Sequence, residues 1–471
     1  MKVSFHTLGC KTNAYETQAI REPMEEAGWE VGEFSEPCDV YIINTCAVTR
    51  EAARKSRQMT GRCKRQNPDA LVVVTGCYAQ EAGEELLSDT GADLVVGNGE
   101  KTRILSLITR HLPGAGEPSD HLCLRDLSRC REYEFQSITR QTGHVRVYVK
   151  IQDGCDRFCS YCIIPYLRGR SRSRDPEAIL QEVARLAENG CREIVLTGID
   201  ISSYAFSPEE TLASLISRIG QIPGIERIRL GSLEVGIITK EFMETIQKVK
   251  SFCPQFHLSL QSGCDSVLKR MNRHYTTQQY KEAVDLIREY YPDAGITTDI
   301  ITGFPGETEE EFEETVRFAQ EIRFSRIHVF PYSRRPGTRA DRLADQLSHA
   351  VKDERARRLI SAAQELQEAY EQKLTGTPCE ILVEEVFSAP SGSTERGREA
   401  VYLAGYTPEY VRITAETDMD LRRADQLTGR IVCVQPEQFR DAILHGRLCK
   451  DRKSTRLNSS HPLSSRMPSS A

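Results

Sequence analysis

Short apolar runs alternate with longer stretches of helical period through most of this chain. In residues 1–112 the apolar runs lie at positions 2–6, 40–43, 71–75 and 94–96. Runs of this length predict buried β-strands, and the stretches between them carry charged faces at helical spacing. Strands that alternate with helices favour a doubly wound parallel sheet. Residues 1–112 are therefore predicted to form an N-terminal α/β domain.

The alternation returns in residues 143–338 with six candidate strands. Six βα units of this size predict a partial (βα)6 barrel, in which functional residues lie on the loops after the strands. Residues 113–142, which begin with a Gly- and Pro-rich run, are predicted to be a linker. The candidate strands lie at 146–151, 193–196, 227–230, 257–260, 297–301 and 327–330, and the candidate helices at 176–189, 208–218, 240–249, 277–290 and 307–322.

The last part of the chain changes pattern twice. Residues 339–375 are predicted to form a connecting helix, because apolar side chains recur at helical spacing among many charges. Residues 376–445 carry short strands at 379–383, 401–404, 410–413 and 429–434, which predict a small antiparallel β-barrel. Residues 451–471 begin like a translated sequencing adapter. We expect them to be foreign to the protein, to replace its native C-terminus, and to be disordered.

Composition adds limits on class and location. A chain of 471 residues with 39% hydrophobic and 28% charged residues is typical of a soluble globular protein, of about three domains. No apolar run reaches membrane-spanning length, and the N-terminus enters a strand directly rather than a signal peptide. We therefore expect a cytoplasmic protein with no membrane partner. The net charge of −6 disfavours indiscriminate nucleic-acid binding but allows a local basic patch.

Three of the cysteines stand in one loop after the first barrel strand. Cys155, Cys159 and Cys162 have the spacing C-x3-C-x2-C. Three thiolates in a tight loop can hold three irons of a four-iron cluster and leave the fourth iron open for chemistry. A structural zinc site needs four ligands, and this loop contains no histidine. Structural zinc and a chance cluster of buried thiols remain the alternatives.

Three further cysteines follow the first three strands of the N-terminal domain. Because the carboxyl ends of parallel strands share one edge, Cys10, Cys46 and Cys77 are predicted to meet there as a second three-cysteine cluster. The alternative is that they fill the core. With sixteen cysteines in a reducing compartment, a disulfide framework is not expected. Core filling is assumed for Cys38, Cys63, Cys123, Cys130, Cys191, Cys253, Cys264, Cys379, Cys433 and Cys449.

The spacing of the barrel cysteines, with Tyr161 before the last of them, resembles the signature of the radical S-adenosylmethionine enzymes. The resemblance implies that Cys155, Cys159 and Cys162 bind a catalytic [4Fe–4S] cluster whose open iron chelates S-adenosylmethionine. Reductive cleavage would then give a 5′-deoxyadenosyl radical, and the protein would position and shield the cofactors.

The sequences around Cys10, Cys46 and Cys77, with the run at 163–174, resemble the methylthiotransferases over residues 1 to about 435. This resemblance implies a transferase with a second [4Fe–4S] cluster on those three cysteines, and a TRAM-like C-terminal barrel that helps to bind RNA. It also implies three partners: a tRNA anticodon stem-loop, a low-potential donor of flavodoxin or ferredoxin type, and a sulfur source.

Short motifs such as those at 6–11 and 74–80 resemble one branch of that family. That branch adds the methylthio group to C2 of N6-threonylcarbamoyladenosine at position 37, beside the tRNA anticodon. The branches that act on isopentenyladenosine or on an aspartate of a ribosomal protein are alternatives. A non-catalytic RNA-binding protein, stabilised by metal at its cysteines, is an alternative of another class.

Other candidate site residues lie at strand ends and beyond the cysteine loop. Polar or turn residues on the open face of the barrel are predicted to bind S-adenosylmethionine, unless they only close turns of the barrel. Alternating arginines beside a tyrosine are predicted to bind tRNA phosphates and to stack on a base, unless they form a solvated edge. The first set is Tyr161, Glu234, Gln261, Ser262, Asp299 and Phe330, and the second is Tyr166, Arg168, Arg170, Arg172 and Arg174.

Overall fold

The computed structural model describes residues 1–112, 120–390, 399–440 and 443–449. The adapter-like tail predicted from residue 451 lies outside these ranges. The chain divides into two compact units, one of residues 1–370 with 408–410 and one of residues 371–407 with those from 411 onward. Within the described ranges, no helix combines the length and apolar character needed to cross a bilayer.

The first unit begins with a six-stranded parallel sheet in the order β2-β1-β3-β4-β5-β6. Alternate residues of its central strand β3 serve two cores: Tyr41 and Ile43 pack on one face, and Val40 and Ile42 on the other. Helices therefore cover both faces, as the continuous apolar runs predict. The strands are β1 (Lys2–Thr7), β2 (Glu30–Val31), β3 (Val40–Thr45), β4 (Leu71–Gly76), β5 (Leu94–Val96) and β6 (Leu122–Cys123), and the helices are α1 (Lys11–Glu26), α2 (Arg50–Gln66), α3 (Cys77–Ala82), α4 (Glu84–Thr90) and α5 (Ile104–His111).

The prediction of a linker over residues 113–142 is wrong at β6. Leu122 and Cys123 pair with Val95 and Val96 and add a strand to the edge of the sheet. A two-residue strand that forms through backbone pairing has no periodic pattern in the sequence, so the hydrophobic pattern does not predict it.

Two parallel sheets, β11-β10-β7 and β12-β13-β14-β15, form the predicted partial barrel. An isolated bridge joins Ile228 of the first sheet to Phe252, which lies just before β13 of the second. All six predicted strands are present, which confirms the prediction. The strands are β7 (Val147–Lys150), β8 (Gln152–Asp153), β9 (Arg172–Ser173), β10 (Glu193–Thr197), β11 (Arg227–Leu230), β12 (Ser232–Leu233), β13 (Gln255–Leu258), β14 (Gly295–Thr302) and β15 (Arg326–Pro331), and the helices are α6 (Ile164–Arg168), α7 (Pro176–Glu188), α8 (Leu212–Ile219), α9 (Lys240–Ile246), α10 (Asp265–Arg270), α11 (Thr277–Tyr290), α12 (Glu309–Ile322) and α13 (His349–Gln372).

Alternation along β14 separates the hydrophobic core from the barrel interior. Ile296 and Ile300 are buried in the same core as Ile287 of α11. Because successive side chains of a strand point to opposite faces, Thr297 and Asp299 face away from the helices, into the barrel. The outer face of this strand therefore stabilises the fold, and its inner face is available for a site.

The second unit is a closed barrel in the order β16-β17-β18-β20-β19, which confirms the predicted small barrel. It differs from the prediction in two respects: a fifth strand is present, and β18 and β20 are parallel rather than antiparallel. The sequence of β20, ILHGRL, interrupts its apolar residues with His, Gly and Arg, so the strand lacks a clear period. The elements are β16 (Cys379–Pro390), β17 (Glu399–Tyr406), β18 (Arg412–Thr417), α14 (Leu421–Asp425), β19 (Ile431–Arg440) and β20 (Ile443–Leu448).

Candidate active site

The loop that carries Cys155, Cys159 and Cys162 lies between β8 and α6. Gly154 opens it with a φ of +73°, and a Cβ there would overlap the carbonyl oxygen of Arg170. Only glycine combines this φ with so close an approach of two backbones. The amide of Cys155 then donates a hydrogen bond to the carbonyl of Gly169 at 3.0 Å. The local sequence therefore fixes where the first sulfur stands.

Residues after α10 hold the other side of the same loop. The Ser160 amide donates to the carbonyl of Met271 at 2.9 Å, and the Ser160 hydroxyl donates to the carbonyl of Arg270 at 2.9 Å. Asn272 donates from Nδ2 to the carbonyl of Phe158 at 3.0 Å. These bonds hold the loop through its backbone and the Ser160 hydroxyl, and none of them uses a cysteine sulfur.

A buried cation stands beside this first triplet. Burial raises the pKa of Cys155 and of Cys162 to about 12. Arg273 donates from NH1 to the Sγ of Cys159 at 3.3 Å and pairs with Glu234 at 2.6 Å. Since metal binding requires thiolates, a neighbouring guanidinium favours the charged form that the ligand needs.

The second triplet meets at the carboxyl edge of the N-terminal sheet, as predicted from the strand order. Cys10 precedes α1, Cys46 follows β3 and Cys77 begins α3. A Cβ on Gly9 would lie 2.8 Å from the Cβ of Cys46, so glycine allows the loop of Cys10 to approach Cys46. Burial, with Cys77 and Cys10 nearby, raises the pKa of Cys46 to about 11. Asn13 donates to the carbonyl of Thr45 at 2.9 Å and ties the two loops together.

Arg168 connects the second triplet to the strand that leads into the first. Its side chain is fully buried, and Nε donates to the Sγ of Cys77 at 3.2 Å. NH1 donates to Asp153 at 3.1 Å and to Glu16 at 2.8 Å, and NH2 donates to Asn13 at 2.9 Å. One guanidinium therefore contacts Cys77, a predicted cluster ligand, and Asp153, the residue before Gly154.

Glu16 is the centre of this buried network. Its carboxylate accepts hydrogen bonds from Arg168, Lys101 and Lys150. Lys150 also forms an ion pair with Asp153 at 2.7 Å. Burial alone would raise the pKa of Glu16, but the three cations lower it well below its usual value. With Arg172, whose NH2 lies 3.8 Å from Asp153, four cations face two carboxylates, and the network carries a positive excess beside the sulfur of Cys77. Such an excess suits a thiolate or an anionic cluster.

Sequence reasoning missed Glu16, Lys101 and Lys150. A usable signal existed, because Asn13, Glu16 and Thr17 form a polar stripe on the buried face of α1. Charged residues on a buried helix face need partners, so the stripe predicts a buried network but does not identify its cations.

Neither triplet has the compact arrangement of a single-ion site. In the part of the chain that the structure describes, the ligand atoms of just one group of His, Cys or carboxylate residues all lie within 4.8 Å of one another. That group is His257, Asp299 and His328, and it contains no cysteine. Sulfurs bound to one zinc ion stand about 4 Å apart. More widely spaced thiols with an adjacent cation fit a four-iron cluster better.

The predicted cofactor residues divide into two sets. Glu234 lines a cavity of about 320 Å³ beside Cys159 and Arg273. Asp299 lies in the barrel interior, and Phe330 is 47% exposed near the end of β15. Tyr161 packs against the core cluster that contains Phe304 and Tyr332. These four positions are compatible with a cofactor site and their roles stay predictions.

Gln261 and Ser262 lie shortly after β13, and Gln261 forms an isolated parallel bridge with Ile300. The backbone of Gln261 is left-handed, with a φ of +69°, and its amide donates to the carbonyl of Asp299 at 2.9 Å. Ser262 is fully buried, and its hydroxyl shares a hydrogen bond with Thr315 at 3.2 Å. The prediction that Ser262 binds a cofactor is wrong in this structure, because its hydroxyl faces α12.

Three of the four arginines predicted to bind RNA are buried. Arg168, Arg172 and Arg174 are at most 7% exposed, and Arg174 pairs with Glu182. A guanidinium that is enclosed by protein acceptors is not available to a phosphate, so the prediction is wrong for these three residues.

Arg170 and Tyr166 remain as candidates for RNA contact. Tyr166 is 57% exposed and packs edge-on against Phe158, with 5.6 Å between the ring centroids. Arg170 stacks over the same Phe158 ring at 4.8 Å and pairs with Asp156 at 3.2 Å. This group, named here the Phe158 stack, is an exposed aromatic and cationic surface beside the cysteine loop.

Two family models match the chain. The model of the Radical SAM superfamily matches residues 149–319, and the model described as uncharacterized protein family UPF0004 matches residues 2–97. Among solved structures, the radical S-adenosylmethionine methyltransferase TsrM from Kitasatospora setae has a TM-score of 0.53 with 17% identity. The likeness covers 72% of this chain and 77% of TsrM, and at this identity it supports the fold alone.

Curated relatives share most of their length with this chain. The threonylcarbamoyladenosine tRNA methylthiotransferase MtaB of Bacillus subtilis (strain 168) is 39% identical over 435 residues, which cover 92% of this chain and 93% of that protein. MtaB of Aquifex aeolicus (strain VF5) is 40% identical, over 81% of this chain and 93% of its own length. A tRNA-2-methylthio-N(6)-dimethylallyladenosine synthase of Natranaerobius thermophilus is 35% identical, over 81% of this chain and 85% of its own length.

Proposed function

Because this chain belongs to the methylthiotransferase family of the radical S-adenosylmethionine superfamily, we propose that it adds a methylthio group to C2 of N6-threonylcarbamoyladenosine in tRNA. The modified base is the one at position 37, beside the anticodon. The observation that carries the proposal is the pair of cysteine triplets, one in each α/β part of the first unit, with Arg168 bonded between them.

In this proposal each triplet holds one [4Fe–4S] cluster. Cys155, Cys159 and Cys162 hold the cluster that binds S-adenosylmethionine, and the second triplet holds the sulfur-carrying cluster. When bound, these groups supply the electron, the radical, the methyl group and the sulfur. The second triplet is Cys10, Cys46 and Cys77.

The protein's own residues fix and charge this centre. Arg273 and Arg168 each donate to a cysteine sulfur, so a positive charge accompanies each triplet. The close backbone approach at Gly154 and the hydrogen bonds of Ser160 and Asn272 hold the radical loop in place. Enclosed cations and a fixed loop are the elements that pre-organise a redox site.

Partners follow from the same chemistry. We infer that a tRNA anticodon stem-loop contacts the Phe158 stack, where Tyr166 and Arg170 offer stacking and a cation. We also infer a low-potential donor of flavodoxin or ferredoxin type and a separate sulfur source, because the proposed reaction consumes both an electron and sulfur. The closed barrel of the second unit is proposed to assist in binding the RNA.

Nucleoside mass spectrometry tests the proposal. Transfer RNA from a strain that lacks this gene should lose 2-methylthio-N6-threonylcarbamoyladenosine and accumulate the unthiolated nucleoside. Expression of the wild-type chain should restore the mark, whereas the Cys46→Ala chain should not. Persistence of the mark in a strain with no redundant enzyme would show that the substrate assignment is wrong.

The second candidate substrate is N6-dimethylallyladenosine in tRNA, which is also called isopentenyladenosine. It is supported by relatives such as the synthase of Natranaerobius thermophilus, at 35% identity over 81% of this chain. Nucleoside mass spectrometry of the deletion strain distinguishes the two candidate substrates, because each substrate predicts the loss of a different methylthio nucleoside.

A further inference from the structure

The barrel interior holds a polar group that the cysteine sites do not use. His257, Asp299 and His328 lie on neighbouring strands β13, β14 and β15, and Asp299 is directly opposite His328 in the β14–β15 ladder. Nε2 of His257 lies 3.3 Å from Oδ2 of Asp299, and Nδ1 lies 3.0 Å from the hydroxyl of Thr297. All three side chains are partly accessible, so the group lines an open surface of the interior.

Lys11 of the N-terminal domain lies near the same group. It begins α1 directly after Cys10, its side chain is exposed, and α1 packs on the first barrel strand through the Glu16–Lys150 pair. Its ammonium lies within electrostatic reach of Asp299 and His328. Among the described residues, the ammonium of Lys11 forms no ion pair or hydrogen bond. A cation in this position lacks a close counter-ion.

The charge around this interior favours an anion over a metal ion. Arg146 and Arg229 also lie within electrostatic reach of Lys11, and Arg229 is already paired with Glu193 at 3.0 Å. Among the described groups that act on Lys11, Tyr410 and Asp299 oppose its charge. Since a tyrosine hydroxyl is uncharged at neutral pH, a divalent cation would still add to the positive charge of Lys11 and Arg146. Two histidines and one carboxylate would otherwise be a plausible metal set. The neighbouring cations therefore disfavour a metal ion at this group.

His328 contributes a neutral hydrogen-bond donor to this interior. Burial lowers its pKa, and although Asp299 acts in the opposite direction, the net shift is downward. A neutral imidazole presents one N–H and one acceptor nitrogen. Together with the Lys11 ammonium it can bind the two oxygens of a carboxylate, which accepts hydrogen bonds and carries the charge that Lys11 lacks.

We propose that Lys11, assisted by His328, binds the carboxylate of the threonylcarbamoyl group and thereby selects this base over adenosines with uncharged N6 substituents. The inference rests on the proposed function, and it assigns specificity to residues that bind neither cluster. An apolar substituent in the same place would cover the ammonium without replacing its water, which costs binding energy. The acid group, rather than the adenine ring, then decides which tRNA is modified.

The test pairs a change in the protein with a change in the substrate. Anaerobically reconstituted full-length chain is given anticodon stem-loops with N6-threonylcarbamoyladenosine as the free acid or with its carboxylate as the primary amide. The wild type should prefer the acid by about tenfold to a hundredfold in kcat/KM. For the acid, the kcat/KM of Lys11→Gln should fall by that same factor, mainly because KM rises. For the amide, its kcat/KM should equal that of the wild type. Lys240→Gln, at a surface lysine whose side chain is 76% exposed, should keep the full preference.

Further measurements separate this role from support of the neighbouring Cys10. Lys11→Gln should retain the iron content and the substrate-free cleavage of S-adenosylmethionine, and Lys11→Arg should restore most of the preference. If Lys11→Gln loses iron, two other variants test the proposal. The proposal is supported if Lys11→Arg recovers part of the preference for the acid and His328→Gln reduces that preference. It is contradicted if Lys11→Arg shows no preference or His328→Gln keeps the full preference.

Two outcomes overturn the inference while the proposed function stands. In the first, the wild type processes the acid and the amide equally. In the second, Lys11→Gln keeps the wild-type preference for the acid. A different result, in which the wild type modifies neither stem-loop but modifies one that carries dimethylallyladenosine, would show that the proposed function itself is wrong.

Discussion

Nε of Arg168 lies 3.2 Å from the Sγ of Cys77, and NH1 of the same guanidinium lies 3.1 Å from Asp153. Cys77 begins α3, directly after β4 of the N-terminal sheet, whereas Asp153 directly precedes the glycine that opens the radical loop. A buried charge therefore fixes the distance between the two cysteine triplets. Sulfur delivery to a carbon activated at the other triplet requires such a fixed relation.

Arg168→Met should destabilise the protein and disturb the second triplet. Removing Arg168 leaves buried oxygens of Glu16 and Asp153 without their hydrogen-bond donor and removes the cation beside Cys77, at a cost of about 3–5 kcal/mol. Urea unfolding of the metal-free protein measures this change, and iron analysis after reconstitution should show weaker retention at the N-terminal site. Arg170→Met, at a guanidinium that is 41% exposed, should change stability by less than about 1 kcal/mol. Equal stability of the two variants would contradict the network's role.

Gly154→Ala should remove the radical cluster without unfolding the protein. Its Cβ would overlap the backbone of Arg170 at a φ of +73°, so the loop of Cys155 must shift. Reconstituted wild type should bind about eight irons and the variant about four. Gly190→Ala is the matched control, because Gly190 has a φ of +88° and nothing within 4 Å of a Cβ. It should cost about 1 kcal/mol and keep all the iron.

Tyr166→Ala should weaken tRNA binding and leave S-adenosylmethionine cleavage intact. The exposed ring packs against Phe158 and offers a face to a base, and one stacked base contributes about 1–3 kcal/mol. Gel-shift titration with the stem-loop should show a dissociation constant raised by about tenfold. Ile360→Ala, at an exposed apolar residue of α13, should bind as the wild type does. Unchanged binding by Tyr166→Ala would exclude the Phe158 stack as an RNA surface.

Glu311 should make stability depend on pH in the acid range. A hydrogen bond from Arg270 lowers the pKa of Glu311 to about 2, from 4.5 in the unfolded chain. Because the folded pKa is the lower one, the contribution is complete above pH 4.5 and disappears as the pH falls toward 2. Glu311→Gln should cost about 1 kcal/mol at pH 7, and the difference from the wild type should shrink below pH 4.5. A constant difference from pH 7 to pH 3 would contradict this pairing.

The sequence predicted well those helices and strands whose apolar residues recur at a regular spacing. It predicted poorly the strands that form only because they pair with a neighbouring strand. The strand at Arg227–Leu230 and the helix at Thr277–Tyr290 have the predicted bounds, because their apolar positions alone define them. By contrast, Leu122–Cys123 and Ile443–Leu448 form strands only because a neighbouring strand offers its edge. Their local sequence contains no period to detect.

Site prediction followed the same division. The six cysteines lie where spacing and strand order placed them, since both depend on backbone topology. The alternating arginines were misassigned because alternation defines a face but does not tell whether that face is solvated. Arg168 pairs with Glu16 on α1, far away in sequence, and Arg174 pairs with Glu182 on the buried face of α7. The distinction depends on tertiary contacts that no local pattern records.

The two triplets should be separable by mutation, and this comparison tests the central claim most directly. Reconstituted Cys159→Ala and Cys46→Ala are assayed in parallel for S-adenosylmethionine cleavage and for methylthio product on the threonylcarbamoyladenosine stem-loop. We expect Cys159→Ala to lose both activities, because it lacks the radical site. Cys46→Ala should keep part of the cleavage and form no methylthio product. Equal loss of both activities in the two variants would contradict the account, because the N-terminal cysteines would then only support the fold.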